Sequence, residues 1–128
     1  MAPIRRILIV DDSEIMRRLV RISITHIPDI SIEEAGDGVA ALSKLGAGNW
    51  DLVIADIQMP LMDGLKLVHF IRSDERLSAI PVIIITSDDR EEDLDRATRL
   101  GVQGFLKKPV MGRDVVELVE QLLSSPGL

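Results

Sequence analysis

The chain has 128 residues, 46% of them apolar and 28% charged, a balance that suits one globular domain with a single core and excludes fibrous and disordered classes. A net charge of −6 weighs against binding to nucleic-acid backbones, and zero cysteines exclude disulfides, thiol catalysis and thiolate metal sites. No apolar stretch approaches the roughly 20 residues that span a bilayer, and the start lacks a secretory-type apolar segment, so a cytoplasmic protein with no membrane and no direct nucleic-acid partner is expected.

Short β-branched runs alternate with helical patterns, the order that signals βαβ units and a parallel sheet. A strand is predicted over 6–10, and a helix opens after Asp12-Ser13, either of which suits an N-cap. This helix repeats apolar residues at Ile15, Leu19 and Ile22 and at Met16 and Val20, and ends by Pro28. Residues 30–34 read as a second, more polar strand at a sheet edge, followed by the turn at 36–38 and a short helix through Val39, Leu42 and Leu45 that Gly46 and Gly48 stop. The third strand is predicted over 52–56, then a loop over 58–64 and a helix carrying Leu65, Leu67, Val68 and Ile71. The fourth strand starts after Pro81, and its helix, about 89–100, offers only Leu94, Ala97 and Leu100 to a core. That helix is expected to be the least firmly anchored. Gly101 ends it, 103–107 form the fifth strand, and the last helix carries Val115, Val116, Leu118, Val119, Leu122 and Leu123 before a frayed tail at 124–127. On this helix Val115, Leu118, Val119 and Leu122 suffice for a core stripe, which leaves Val116 and Leu123 as an apolar fringe.

Five strands and five helices in alternation, joined by right-handed crossovers, give a flavodoxin-like doubly wound parallel sheet in the order 2-1-3-4-5. Such sheets bind ligands beyond the carboxyl ends of their strands. Four apolar runs here lead into Asp11-Asp12, Asp56, Thr86-Ser87 and Lys108-Pro109, so these groups share that edge. Three carboxylates in one crevice repel one another unless a cation is present. An all-oxygen donor set selects a hard ion, Mg²⁺ with Mn²⁺ as the alternative. Asp56 can then attack a phosphoryl group, with Lys108 neutralising the oxygens and the Thr86 hydroxyl donating to one of them. Pro109 suits a tight turn, open to a cis bond, that aims Lys108 inward.

Asp11-Asp12, Asp56 followed by Met59-Pro60, Met62-Asp63-Gly64, Thr86 and Lys108-Pro109 resemble the receiver domains of two-component response regulators, and 7–13 with Met16-Arg17-Arg18 is most similar to the stand-alone chemotaxis type. The likeness runs from Ile7 to Leu123 and implies a single receiver domain over 1–128, core about 5–123. It implies Asp56 as phosphoacceptor, with Asp12, Asp56 and the Gln58 carbonyl on Mg²⁺ and Asp11 acting mainly through a metal-bound water. It implies a sensor histidine kinase or histidine phosphotransfer protein as donor, and a chain that catalyses its own phosphorylation and dephosphorylation without being a free-standing enzyme. It implies a switch through Thr86 and Phe105, and an influence of Gln58 and Asp88 on phosphoryl lifetime. A downstream protein target or a second copy would then be met at the face of the fourth helix, fifth strand and fifth helix.

Each residue alone has a plainer reading. Asp11-Asp12 would cap a helix, Lys108 would be solvated, Thr86 would be a strand former, and only the set overturns these. Lys107 points to the surface, His26 and His69 are surface or capping residues, and Arg17, Arg18 and Arg21 form a solvated face or help dock an acidic donor. A small Mg²⁺-dependent aspartyl-phosphate phosphatase resembling the haloacid dehalogenases would need an aspartate where Gln58 stands, and a cap domain. A non-phosphorylated interaction domain would lack a pocket residue. A stand-alone relay and a receiver cut from a larger transcription factor or signalling enzyme remain the two forms of the leading reading.

Overall fold

The computed structural model describes residues 3–87 and 90–124, so Asp88, the expected start of the fourth helix at Asp89, and 125–127 of the expected tail lie outside the described residues, while Ser124, expected in that tail, is the last residue of the final helix. The elements run β1 (Arg5–Val10), α1 (Glu14–Ile24), β2 (Ile30–Ala35), α2 (Gly38–Gly46), β3 (Leu52–Asp56), α3 (Gly64–Ser73), β4 (Val82–Thr86), α4 (Glu91–Arg99), β5 (Gly104–Lys107) and α5 (Gly112–Ser124). The sheet order is β2-β1-β3-β4-β5, parallel throughout, as expected.

β3 and β4 are buried along their whole length, which is why they read as unbroken apolar runs: helices cover both faces. Leu8, Val10, Val53, Ala55, Val82 and Ile84 face α2, α3 and α4, while Ile7, Ile9, Leu52, Ile54, Ile83 and Ile85 face α1 and α5. The period of two thus divides the core into two layers.

In the second layer the structure buries one of the two apolar repeats of α1 and shifts the stripe expected of α5. In α1 the sheet takes Val20 and Ile24, Met16 is half-buried, and Ile15 and Ile22 are 80% and 64% exposed with Leu19 beside them at 39%. The helix carries two apolar stripes, and its rotation is decided by β2: Glu34 accepts from Arg17 Nε at 3.0 Å and from Arg21 Nε at 2.7 Å. Those two arginines are therefore not a solvated face; of the three, only Arg18 is exposed, 3.7 Å from Glu14. In α5 the buried ridge is Val115, Val119 and Leu123, so Leu123 belongs to the core and not to the fringe. Leu118 and Leu122 are half-buried, as is Val116. A Cβ on Gly104 would lie 2.5 Å from Leu118 Cδ2, so the glycine lets α5 settle on β5.

α4 contributes little to the core, as expected: Ala97 is buried, Leu94 and Leu100 are half-buried, and its first turn has no side-chain cap. Gly101, at φ 71°, ends it in the left-handed conformation. Its carboxyl end is held by Arg72 of α3, which donates to the carbonyls of Leu100 (2.8 Å), Gly101 (3.0 Å), Ser78 (3.0 Å) and Ile80 (2.7 Å). Among the described residues no helix is long and apolar enough to cross a membrane.

Candidate functional site

The pairing of β1 with β3 sets Val10 opposite Ala55, so the next residues, Asp11 and Asp56, emerge side by side at the carboxyl edge. Carboxylate oxygens of Asp11, Asp12 and Asp56 lie within 4.8 Å of one another. Asp11 and Asp56 are buried and Asp12 is exposed, so the cluster has a closed floor and an open rim. One residue past β5, Lys108 brings Nζ to 3.3 Å from Asp56 Oδ2 and 3.8 Å from Asp11 Oδ2. The Lys108 amide donates to the Thr86 carbonyl at 2.7 Å, which continues the β4–β5 ladder to the site, and the Lys108-Pro109 bond is cis. Lys107 is exposed, on the surface as expected.

Local structure prepares each carboxylate. Ser13 caps α1, its hydroxyl accepting from the Met16 amide at 3.2 Å, which leaves Asp12 free of that duty. Asp11 Oδ1 accepts from the Ser13 amide at 2.9 Å, and Arg17 Nη1 donates to the Asp11 carbonyl at 2.6 Å. Asp56 Oδ1 takes a long contact from the Gln58 amide at 3.4 Å. Behind Asp56 the chain turns into α3, where Asp63 caps the Lys66 amide at 2.8 Å and the Gly64 amide donates to the Ile57 carbonyl at 3.0 Å. A Cβ on Gly64 would stand 2.2 Å from the Asp56 carbonyl oxygen, so only glycine permits this approach.

Burial pushes the Asp56 carboxyl above its ordinary value, with Lys108 pulling against it. Burial also raises Asp11, opposed by the Ser13 amide and Lys108 and reinforced by Asp56. One ammonium thus faces three carboxylates, a deficit that a divalent cation would remove. The donors are all oxygen and close-set, a fit to a hard ion such as Mg²⁺ and a poor one to a soft metal.

Thr86 is fully buried at the end of β4, and its hydroxyl lies 2.9 Å from the donating Gln58 Nε2. Gln58 Oε1 accepts from the Ser87 amide at 3.2 Å, so one glutamine side chain bridges the β3 loop to the end of β4. Phe105 pairs in register with Ile84 and is half-buried. It borders a cavity of about 140 Å³ together with Leu94 and Ala97 of α4. Thr86, two residues beyond Ile84, projects to the same face of the sheet as Phe105. The structure therefore brings together Asp11, Asp12, Asp56, Gln58, Thr86 and Lys108, with Phe105 on the strand beside Thr86, while Asp88 is outside the described residues. His26 and His69 are exposed and away from the cluster, and Trp50 lies at the opposite end of β3.

Sequence reasoning missed three supporting roles. The Gln58 clamp on Thr86 and the Arg17 hold on the Asp11 carbonyl are long side-chain reaches that leave no periodic signal. The close approach at Gly64 was visible only as a glycine following a helix cap.

A family model described as the response regulator receiver domain matches residues 7–120. The chain is 35% identical over 117 residues to chemotaxis protein CheY of Pseudomonas aeruginosa, covering 91% of this chain and 94% of that protein. It is 37% identical over 117 residues to chemotaxis protein CheY-3 of Vibrio cholerae, covering 91% and 90%. Among solved structures, a response regulator receiver protein from Pseudomonas putida superposes with a TM-score of 0.87 at 30% identity, over 94% of this chain and 99% of that one. Chemotaxis protein CheY4 of Vibrio cholerae gives 0.86 at 27% identity, again over 94% and 99%.

Proposed function

The chain belongs to the response regulator receiver domain family, and from that premise we propose that it is a single receiver domain whose Asp56 takes a phosphoryl group from a histidine on a sensor kinase or phosphotransfer protein. The observation that carries this is Lys108 Nζ at 3.3 Å from Asp56 Oδ2 within a cluster of three carboxylates. A lone structural ion pair has no use for two further carboxylates beside it.

The Asp56 carboxylate oxygen attacks phosphorus in line as the donor's P–N bond breaks, and the bonding pair stays with the donor imidazole. Lys108, already aimed at Asp56, pairs with the phosphoryl oxygens as charge accumulates there. Asp11, Asp12, Asp56 and the Gln58 carbonyl would hold Mg²⁺, or Mn²⁺ as the alternative, which when bound supplies further neutralisation of the phosphoryl oxygens. The Thr86 hydroxyl exchanges its Gln58 partner for a phosphoryl oxygen, and movement of Thr86 opens space toward which Phe105 turns. Phe105 fills space but has no hydroxyl with which to bind a target. The signal leaves through α4, β5 and α5, where the thin anchoring of α4 makes displacement cheap, and a downstream protein or a second copy reads that face. Gln58 and Asp88 set how long the phosphoryl group survives water. The chain switches a partner and turns over no substrate of its own beyond its phosphoryl group.

Labelling with acetyl phosphate and Mg²⁺ tests the assignment. Acid-labile label is expected to vanish in Asp56→Asn and to form at least tenfold more slowly in Lys108→Ala; undiminished label in Asp56→Asn overturns Asp56 as the acceptor.

A further inference from the structure

A cleft of about 480 Å³ opens between α3 and α4, lined by Asp63, Lys66, His69, Arg96, Arg99 and Leu100. Its volume falls within the roughly 300–1,000 Å³ of small-ligand sites. The walls carry three permanent cations in a chain of net charge −6. Elsewhere Arg6 pairs with Glu33, and Arg17 and Arg21 pair with Glu34. Among the described residues Lys66, Arg96 and Arg99 form no ion pair, although Glu92 and Asp95 stand one helical turn before the two arginines. The single acidic wall residue, Asp63, is engaged in capping the Lys66 amide at 2.8 Å. Lys66 comes from one helix and Arg96 and Arg99 from the other, so an anion between them would be gripped from both sides, and arginine forks suit phosphate oxygens.

We propose that this cleft is a binding site for a small organic di- or triphosphate, distinct from the Asp56 cluster. Lys66, Arg96 and Arg99 hold the phosphates, and the His69 imidazole and Leu100 give the organic part a flatter, less charged wall. An acidic peptide is the competing occupant, disfavoured because the cleft has a small-molecule volume and Leu100 is the one aliphatic residue among its lining residues.

Titration of the full chain with ATP, in buffer stripped of divalent metal and followed by amide shifts, tests the site. The expected result is one saturable set of shifts at 66–70 and 96–100. Arg99→Gln is expected to weaken binding at least fivefold, while Arg113→Gln, the same charge change on exposed α5, alters it less than twofold. Shifts centred on Asp11, Asp56 and Lys108, no saturation, or equal weakening by the two variants would overturn the proposal. So would tighter saturation of the same amides by a glutamate-rich peptide than by ATP. None of these readouts uses phosphorylation of Asp56, so the receiver mechanism stands or falls separately.

Discussion

Replacing Gly64 by alanine should damage stability and phosphorylation together. The added Cβ would stand 2.2 Å from the Asp56 carbonyl oxygen, 2.8 Å from its carbonyl carbon and 3.0 Å from Ile57 Cα. A carbon approaches a carbonyl oxygen no closer than about 3.3 Å, so about 1 Å must be relieved. All three of these neighbouring atoms are backbone, and no rotamer change can absorb the overlap. Alanine returns at most about 1 kcal/mol in helix propensity, whereas overpacking against unyielding backbone lies at the upper end of its range, about 3 kcal/mol, so a net loss of about 2 kcal/mol is expected. The strain falls on the peptide that carries the acceptor, and a displacement of about 1 Å at a reacting group costs on the order of 100-fold in rate. Urea unfolding followed by far-ultraviolet circular dichroism reads the first effect and acetyl phosphate labelling the second. Gly46→Ala is the matched control: nothing lies within 4 Å of its Cβ, so unchanged or higher stability and unchanged labelling are expected. A Gly64→Ala chain with the wild-type urea midpoint and labelling rate would refute the close-approach argument.

Burial raises the Asp11 carboxyl in the fold, so the folded state retains a proton that the unfolded chain has lost; this contribution is present below the ordinary value of 3.8 and lost as pH rises through the raised one. Asp11→Asn, which keeps an acceptor for the Ser13 amide, should therefore match the metal-free wild type at low pH and exceed it at neutral pH, by about 1.4 kcal/mol for every tenfold weakening of the acid; equal urea midpoints throughout pH 4–8 would contradict this. Mg²⁺ at 100 times its dissociation constant should stabilise the wild type by about 2.7 kcal/mol in thermal melts, with no gain for Asp11→Asn of comparable size. It should barely alter the fluorescence of Trp50, six residues and about 20 Å from Asp56 along an extended chain, and strong direct quenching would place the metal elsewhere. Beryllofluoride, a phosphoryl mimic, should shift amides at Thr86 and Phe105 and along α4 and α5; shifts confined to the carboxylate cluster would defeat the switch.

The alternation of apolar runs with helical patterns marks a parallel sheet, and a switch of direction at the first strand, as in known doubly wound sheets, then sets Asp11, Asp12, Asp56, Thr86 and Lys108 at one edge. Parallel pairing sends every strand's carboxyl end to one edge, so residues that follow the runs meet without any knowledge of side-chain contacts. Helix faces were less legible. Ile15 and Met16 head two stripes about 100° apart, either of which satisfies the helical period. The same ambiguity put Leu122 in place of Leu123 on α5.

What the sequence by itself determined is the succession of strands and helices and the polar residues that follow each strand, because strand burial and helical period are properties of local pattern. Tertiary structure decided the rotation of α1, through Glu34 drawing Arg17 and Arg21 toward β2. It also decided the partner of Thr86, through Gln58 reaching from the β3 loop, and the opposition of Lys66 to Arg96 and Arg99 across a cleft. These depend on where long side chains end after packing, and that is set by neighbours far away in the chain.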